Sequence, residues 1–243
     1  MKYQIPKTFM GKPVAGSLER VLAGLNGNTN NPQNPPQTAP LVNAPNLQGY
    51  IFVPSTGLYM AKERTHLGLN WYQTHEELQK ENLRMPTIPE FIEYLKFLDR
   101  GYPDRNEGQL ILDEIKAVRN PWRSEWLDAR FEKIKRKMNI HSMHKYSNGK
   151  LVSSKPEVLG KCLMKDKTPG IDLDYWLNNS TPQGLPDVNT PRGELYFWYP
   201  REGSVAGFGA GSGRAGLGCF RDPAVVGSSL GVFACAEGAT PKI

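Results

Sequence analysis

The sequence predicts an α+β protein in which mixed short antiparallel strands and two or three helices share one core. Short runs of aromatic and β-branched residues, bounded by Pro and Gly, indicate the strands. Helix-capping signals indicate the helices. A glycine-rich stretch with period two near the C-terminus indicates further strands. The chain has 243 residues, 39% hydrophobic and 22% charged, which suits a globular protein with a sizeable core.

The first 48 residues differ in composition from the rest of the chain. A short helix is predicted over 17–24, with Ser17 as its N-cap. Residues 25–48 are rich in Asn, Pro, Gln and Thr, and they carry too little apolar surface to offset the entropy of ordering. We therefore predict an N-terminal arm with an Asn/Pro-rich linker over 1–48 and one folded domain over 49–243.

The folded domain is predicted to open with a hairpin and a helix. Strands are expected at Tyr50–Val53 and Leu58–Met60, joined by the turn 54–57. The first helix is expected to follow Thr74, with Leu78 on its apolar side.

A stronger helix signal lies at Thr87, where an N-cap is followed by Pro89 and by Glu90 at the capping-box position. Apolar residues then recur at helical spacing, so this helix is expected to pack on a sheet. The apolar positions are Phe91, Ile92, Leu95 and Leu98.

A further helix is predicted over about 107–118, ended by Asn120-Pro121. Four apolar residues are expected on or near one of its faces, namely Leu110, Leu112, Ile115 and Val118. Bulky core residues are expected soon after the helix, namely Trp122, Trp126, Leu127 and Phe131.

Beyond these helices the chain is predicted to form strands and long loops. Asn148-Gly149 favours a hairpin, because both residues accept positive φ in a tight primed turn. Strands are expected at 170–177 and 194–199, separated by a loop over 178–192. Within the second strand, the aromatic run 196–199 can form a binding cluster or pack in the core, and core packing is favoured.

The stretch Gly203–Gly238 contains ten of the chain's 24 glycines. Glycine alternates with other residues from Gly207 to Gly213, which predicts two short strands joined by a tight turn, with one face emptied of side chains. Between Ser204 and Ala236 there is no Lys, Glu, Gln, Trp or Met, residues whose codons all end in a purine.

In this combination the stretch resembles the variable region of target proteins of diversity-generating retroelements, which have a C-type lectin fold of the formylglycine-generating-enzyme-like branch. The resemblance implies that a reverse transcriptase copies a template repeat with errors at adenines, so the emptied face would be the mutated face. Four upstream segments resemble the same family, namely MPTIPEFIEYL, RSEWLDARFE, GIDLDYWL and GELYFWYP.

The resemblance divides the variable region, about 203–238, into framework and diversified positions. The framework includes Phe208, Leu217 and Cys219, which are expected to face the core. The diversified, ligand-binding positions are Gly207, Gly209, Gly211, Gly213, Arg214, Gly216, Gly218, Phe220, Val225, Val226, Gly227 and Phe233.

The resemblance implies a non-enzymatic protein of phage or prophage-like origin that binds an unknown macromolecular ligand, with a protein ligand favoured. No cofactor or metal is expected, and a monomer is favoured. Outward-facing glycines, namely Gly209, Gly211, Gly216 and Gly218, are expected to accept Ser or Tyr without loss of the fold.

The enzymatic alternative is a formylglycine-generating-enzyme-like oxidase that uses Cys219 and Cys235. The GGSW-type signature of that branch is replaced by Gly203-Ser204-Val205, and no histidine follows His144. Three cysteines without a CxxC pair argue against a disulfide framework and favour buried thiols. The sequence alone does not decide whether Cys219 and Cys235 form a disulfide bond.

Two further motifs are interpreted as non-functional. Residues 211–216 match GxGxxG, but no helix can follow, so the dinucleotide fingerprint is accidental.

A net charge of +6 permits nucleic-acid partners. The basic run Lys133–Lys137 lacks interleaved aromatic residues, so it is interpreted as a helix surface and no nucleic-acid partner is expected.

The pair His141 and His144 forms an HxxH motif, while His66 and His75 lie far upstream. Metal binding would need further ligands on a rigid element. A solvated polar face is therefore the favoured interpretation.

The triplet Arg221-Asp222-Pro223 is interpreted as a framework salt bridge followed by a strand-ending proline, with a ligand-facing charge pair as the alternative.

The N-terminus lacks the apolar run of a signal peptide, and no segment approaches the roughly 20 apolar residues of a membrane helix. The expected location is the cytoplasm or a virion.

Overall fold

The computed structural model describes most of the chain after residue 44. The described residues are 8–9, 12–13, 45–211 and 213–238. Within these ranges, every helix is too short or too polar to cross a lipid bilayer.

The chain divides into two units, Met1–Val42 and Asn43–Ile243. In the first unit the structure describes one antiparallel pair, β1 (Thr8–Phe9) and β2 (Lys12–Pro13). The helix predicted over 17–24 and most of the linker predicted over 25–48 lie outside the described residues.

The second unit has a mixed α+β architecture, as predicted, but the described residues form four α-helices instead of two or three, and two of the strand pairs are parallel. Its helices are α1 (Trp71–Lys80), α2 (Ile88–Lys96), a π-helical turn (Phe97–Gly101), α3 (Arg105–Lys116) and α4 (Leu173–Asn179). Its strands are β3 (Tyr50–Val53), β4 (Leu58–Ala61), β5 (Arg123–Ile134), β6 (Lys137–His141), β7 (Lys145–Ser147), β8 (Lys150–Val152), β9 (Glu157–Val158), β10 (Lys167–Ile171), β11 (Leu195–Trp198), β12 (Val205–Ala210), β13 (Ala215–Arg221), β14 (Leu230–Gly231) and β15 (Cys235–Glu237).

The largest sheet has the strand order β10-β11-β13-β12-β5-β6-β9, and β14 pairs with β5. The β11–β13 and β14–β5 pairs are parallel, whereas the other neighbours are antiparallel. A smaller sheet has the order β15-β4-β3. Of the strands in the glycine-rich stretch, β12, β13 and β14 therefore belong to the large sheet, and β15 belongs to the smaller one.

The α2 helix confirms its sequence signal. The side chain of Thr87 accepts a hydrogen bond from the Glu90 backbone N–H, and the Glu90 carboxylate accepts one from the Thr87 N–H at 2.8 Å. The helix packs on the large sheet through Phe91, whose ring centroid lies 5.5 Å from that of Phe208. The capping box thus sets the start of the helix that covers the core side of β12.

Both predicted hairpins are present. Strands β3 and β4 pair with Val53 opposite Leu58, and the turn between them is the predicted one. Strands β7 and β8 are joined by Asn148 and Gly149, whose φ angles are 52° and 72°.

Two predicted element boundaries were wrong because capping residues were overlooked. The first helix begins at Trp71 rather than after Thr74, since the Asn70 side chain caps it. The strand predicted over 170–177 ends at Ile171, because the Asp172 carboxylate accepts the Tyr175 N–H and starts α4.

The basic run Lys133–Lys137 forms the β5–β6 hairpin and not a helix surface. Lys135 and Arg136 make its turn, with φ angles of 49° and 68°. Positive φ at both central residues is the geometry of a primed turn, which matches the twist of the two strands.

Some predicted core residues are exposed. In α3, Leu112 and Ile115 are buried as expected, but Leu110 is 70% exposed. Val118 lies beyond the end of the helix and is 53% exposed. Trp122 is 42% exposed, whereas the other three bulky residues predicted after α3 are buried.

Candidate functional site

Strands β12 and β13 place four glycines on one face of the large sheet. Their register pairs Gly207 with Gly218 and Gly209 with Gly216. Residues directly opposite each other on antiparallel strands share a face, so the two glycine pairs leave that face without side chains. We refer to these four glycines as the glycine floor.

The other face of the same hairpin belongs to the core. Phe208 and Leu217 are directly opposite each other and are both 0% exposed. The Phe208 ring also lies parallel to that of Trp176, at a centroid distance of 6.4 Å. The prediction that these two residues face the core is confirmed.

Aromatic side chains border the glycine floor on the β11 side. Tyr196 is in register with Gly216, and Trp198 is in register with Gly218. The Tyr196 and Trp198 rings are 5.4 Å apart, nearly perpendicular, and both residues are half-buried. Phe197 is buried in the core as predicted, but Tyr196 and Trp198 lie beside the floor, so core packing was wrong for them.

A β-bulge places Arg221 on the same face as the glycine floor. Val205 is opposite Arg221, whereas Gly207 is opposite Gly218, so β13 contains one more residue than β12 between these pairs. Such an insertion reverses the side to which the following side chain points. Without it, strict alternation from Leu217 would place Arg221 on the core face.

The Arg221 side chain has no acidic partner among the described residues. Its guanidinium carbon lies 5.0 Å from the ring centroid of Trp122, and its Nε is buried without a hydrogen bond. Burial lowers the pKa of Arg221, and the charge of Glu125 opposes that effect. The predicted salt bridge is absent, because the Asp222 carboxylate instead accepts the Ala224 N–H.

These features border an open cavity of about 250 Å³, referred to below as the glycine cavity, and Gly209 is the member of the floor that lines it. Arg123, which lines it, is neutralised by a buried ion pair with Glu125. Arg214 donates a hydrogen bond to the Gly193 carbonyl and lies 5.8 Å from the Tyr196 ring. The lining residues are Trp122, Arg123, Tyr196, Trp198, Gly209, Ala210, Gly211, Gly213, Arg214 and Arg221.

Two floor glycines have no room for a side chain. A Cβ on Gly216 would lie 2.2 Å from the carbonyl oxygen of Tyr196, and one on Gly209 would lie 2.7 Å from Arg221 Nη2. A Cβ on Gly207 would lie 3.0 Å from a β5 carbonyl oxygen. The expectation that both Gly209 and Gly216 accept larger residues freely was wrong, because neighbouring atoms already occupy that space.

The other predicted glycines are more open. The nearest atom to a Cβ on Gly211 would be the Cβ of Trp122, at 3.8 Å. At Gly218 the nearest neighbour is the edge of the Phe220 ring, at 3.1 Å, and at Gly213 it is a tyrosine ring at 3.2 Å. Substitution at these three positions therefore requires only side-chain adjustment.

Eight of the twelve predicted binding positions do not line the glycine cavity, namely Gly207, Gly216, Gly218, Phe220, Val225, Val226, Gly227 and Phe233. Val225 and Val226 are 40% and 63% exposed and lie with Gly227 in the loop after β13. Phe233 is 3% exposed and packs against Tyr94 in the core. The structure thus brings Gly209, Gly211, Gly213 and Arg214 together at the cavity, leaves the loop positions separate, and buries Phe233 in the core.

The cysteines of the enzymatic alternative are buried. Cys219 and Cys235 are 0% exposed and free, and they belong to different sheets. Burial raises the pKa of both thiols. The expectation of buried thiols is confirmed, and the structure contains no Cys219–Cys235 bridge.

Sequence analysis missed a buried cluster around Asp128. His144 Nδ1 lies 2.5 Å from Asp128 Oδ1, and His75 Nε2 lies 3.7 Å from the same oxygen. Interpreting His144 as part of a solvated face was therefore wrong, whereas His141 is half-buried and lies 3.1 Å from Glu132. His75 and His144 are distant in the sequence and meet only in the folded chain. The spacing of residues in the sequence therefore gave no indication that these two histidines lie together.

The three side chains of this cluster are almost completely enclosed. Burial lowers the pKa of His75 to about 4, so its ring is neutral near neutral pH. One ligand atom from each residue lies within 4.8 Å of the others. Two imidazoles and a carboxylate are metal-ligating groups.

Comparison with protein-family models, curated protein sequences and solved structures finds no match to this chain.

Proposed function

We propose that this chain is a variable, ligand-binding protein of a diversity-generating retroelement, with a C-type lectin-like fold, and that the glycine cavity is its binding site. The observation that carries the proposal is the pairing of four glycines in register on one face of a hairpin. Glycine weakens a strand interior, so four on one face suggest that the face is selected for something other than folding.

The cavity lining supports binding of a protein ligand. Trp, Tyr and Arg are the residues that most often dominate the energy of protein interfaces, and the rim contains all three types. Tyr196 and Trp198 offer flat apolar surface, while Arg221 offers a positive charge without an acidic partner among the described residues. A ligand segment with an aromatic side chain beside a carboxylate fits this lining.

A ligand-binding function is favoured over the oxidase alternative, in which Cys219 and Cys235 would carry out the oxidation. A catalytic thiol needs access and a lowered pKa, whereas both thiols are fully buried with raised pKa values. Neither cysteine lines the glycine cavity.

Sequencing of the gene and its flanking DNA in many isolates tests the proposal. We expect a near-identical repeat that differs at adenines, an adjacent reverse transcriptase gene, and substitutions concentrated at the codons for Gly211, Gly213, Arg214 and Gly218. Codons for Phe208 and Leu217 should be unchanged. A locus without a repeat, or substitutions spread evenly over both faces, would contradict retroelement diversification.

A further inference from the structure

Three side chains from distant segments converge beneath Trp71. His75 comes from α1, Asp128 from β5 and His144 from the segment between β6 and β7. We propose that these three residues bind one first-row divalent transition-metal ion, with zinc as the best match. The site shares no residue with the lining of the glycine cavity, so the inference is independent of the proposed function.

The buried carboxylate lacks a permanent cation. The Asp128 side chain is 0% exposed, and among the described residues only the two histidines lie within ion-pair distance. A carboxylate in an apolar interior is unfavourable unless positive charge and hydrogen bonds compensate it. A bound divalent ion supplies that charge.

His75 presents an unused ligand atom to Asp128. Its side chain is 2% exposed, and its Nε2 atom is buried without a hydrogen-bond partner. An unpartnered nitrogen in this position is unfavourable in a metal-free protein. A metal ion between the two side chains would use its lone pair.

The ligand atoms lie close enough together to surround one ion once the side chains rotate. With bonds of about 2.0–2.1 Å, the ligands of a tetrahedral zinc ion lie about 3.3 Å apart. The separations are 3.7 Å for His75–Asp128 and 2.5 Å for His144–Asp128, and all three ligand atoms lie within 4.8 Å of one another. Metal binding therefore replaces the His144–Asp128 hydrogen bond and requires rotation of the side chains toward the ion. Nitrogen ligands favour zinc, cobalt or nickel over calcium or magnesium, which prefer oxygen.

The surrounding residues hold these ligands in place and leave room beside them. The Trp71 ring packs edge-on against His75 at 4.3 Å and against His144 at 4.9 Å. The other oxygen of Asp128 accepts the His144 backbone N–H at 2.9 Å. Asp128 also lines a cavity of about 80 Å³, which has room for a water molecule.

The test is titration of the full chain, freed of metal by a chelator, with cobalt as a spectroscopic probe and zinc as a competitor. We expect one equivalent of cobalt to bind with the visible absorption of a tetrahedral site, and zinc to displace it. His75→Gln should weaken binding by about 100-fold or more, since even changes behind the ligands cost 10–100-fold. The matched control is His66→Asn, because His66 has a positive φ of 52° that Asn accepts, and its binding should be unchanged.

A second measurement uses the unmodified chain, so that it does not depend on the folding of a variant. Zinc at about 1,000 times its dissociation constant should raise Tm by at least about 5 °C, and excess chelator should reverse the shift. Magnesium at the same concentration should have no effect. Absence of stoichiometric cobalt binding, no zinc-dependent shift in Tm, or equal affinity in His75→Gln and His66→Asn would each overturn the proposal.

Discussion

The guanidinium group of Arg221 occupies the space that a side chain on Gly209 would need. Its Nη2 atom is 2.7 Å from the position of a Cβ on Gly209, and its guanidinium carbon is 5.0 Å from the Trp122 ring centroid. The bulge in β13 turns Arg221 to this face, and the missing side chain lets the guanidinium lie along the floor. The position of the Arg221 guanidinium in the glycine cavity therefore depends on the absence of a side chain at Gly209.

Stability should distinguish closed from open glycine positions. Gly216→Ala should lower the free energy of unfolding by about 1–3 kcal/mol, because its Cβ would overlap the Tyr196 carbonyl oxygen and push β11 away. Gly211→Ala, where the nearest atom is 3.8 Å away, should change it by less than about 0.5 kcal/mol. Urea denaturation of both variants measures the difference. Equal stability would show that β11 shifts without cost.

Binding should depend on the charge of Arg221. Peptides selected from a random display library on the unmodified chain should be enriched in aromatic residues next to Asp or Glu. Arg221→Met should weaken such a peptide by about 10–100-fold, the loss of one charge-assisted hydrogen bond. Arg100→Met is the control, because Arg100 is exposed and lies outside the lining. Equal weakening in both variants would show that the peptides bind through general positive charge.

Thiol reactivity should follow burial. Cys219 and Cys235 are 0% exposed and their pKa values are raised by burial, so neither should react with a thiol reagent at pH 8 in the folded protein. Both should react after unfolding in guanidinium chloride. Mass spectrometry of the labelled peptides identifies the sites. Rapid labelling of Cys219 in the folded state would revive the oxidase alternative.

Acid should weaken the contact between Glu90 and Arg84. Burial alone would raise the pKa of Glu90, but hydrogen bonds and the charge of Arg84 outweigh it, so the folded-state pKa lies below the ordinary value of 4.5. The pair therefore stabilises the fold above about pH 4.5, and this contribution is lost as the pH falls through the folded-state pKa.

Glu90→Gln should accordingly reduce stability at pH 7 and flatten its decline between pH 5 and pH 3, as followed by thermal denaturation. Glu76→Gln changes an exposed side chain of α1, and its pH dependence should match that of the unmodified protein. A decline as steep in Glu90→Gln as in the unmodified protein would assign the acid sensitivity to other carboxyl groups.

Sequence alone determined the elements that depend on neighbouring residues. The capping box at Thr87, the Asn148-Gly149 hairpin and the alternation around Phe208 were all predicted, because each arises from interactions within a few residues. The errors at Asn70 and Asp172 were of the same local kind, since both residues are ordinary N-caps that the pattern already contained.

Tertiary structure decided which side chains meet and how much space each one has. Alternation predicts the face of Leu217, but the bulge that reverses Arg221 is visible only in the pairing of β12 with β13. The closed position of Gly216 depends on the parallel neighbour β11, which is distant in sequence. His75 and His144 converge on Asp128 because α1 packs beside β7 and is tied to β5 by the Trp71–Leu127 hydrogen bond. Contacts between remote segments leave no periodic pattern in the sequence.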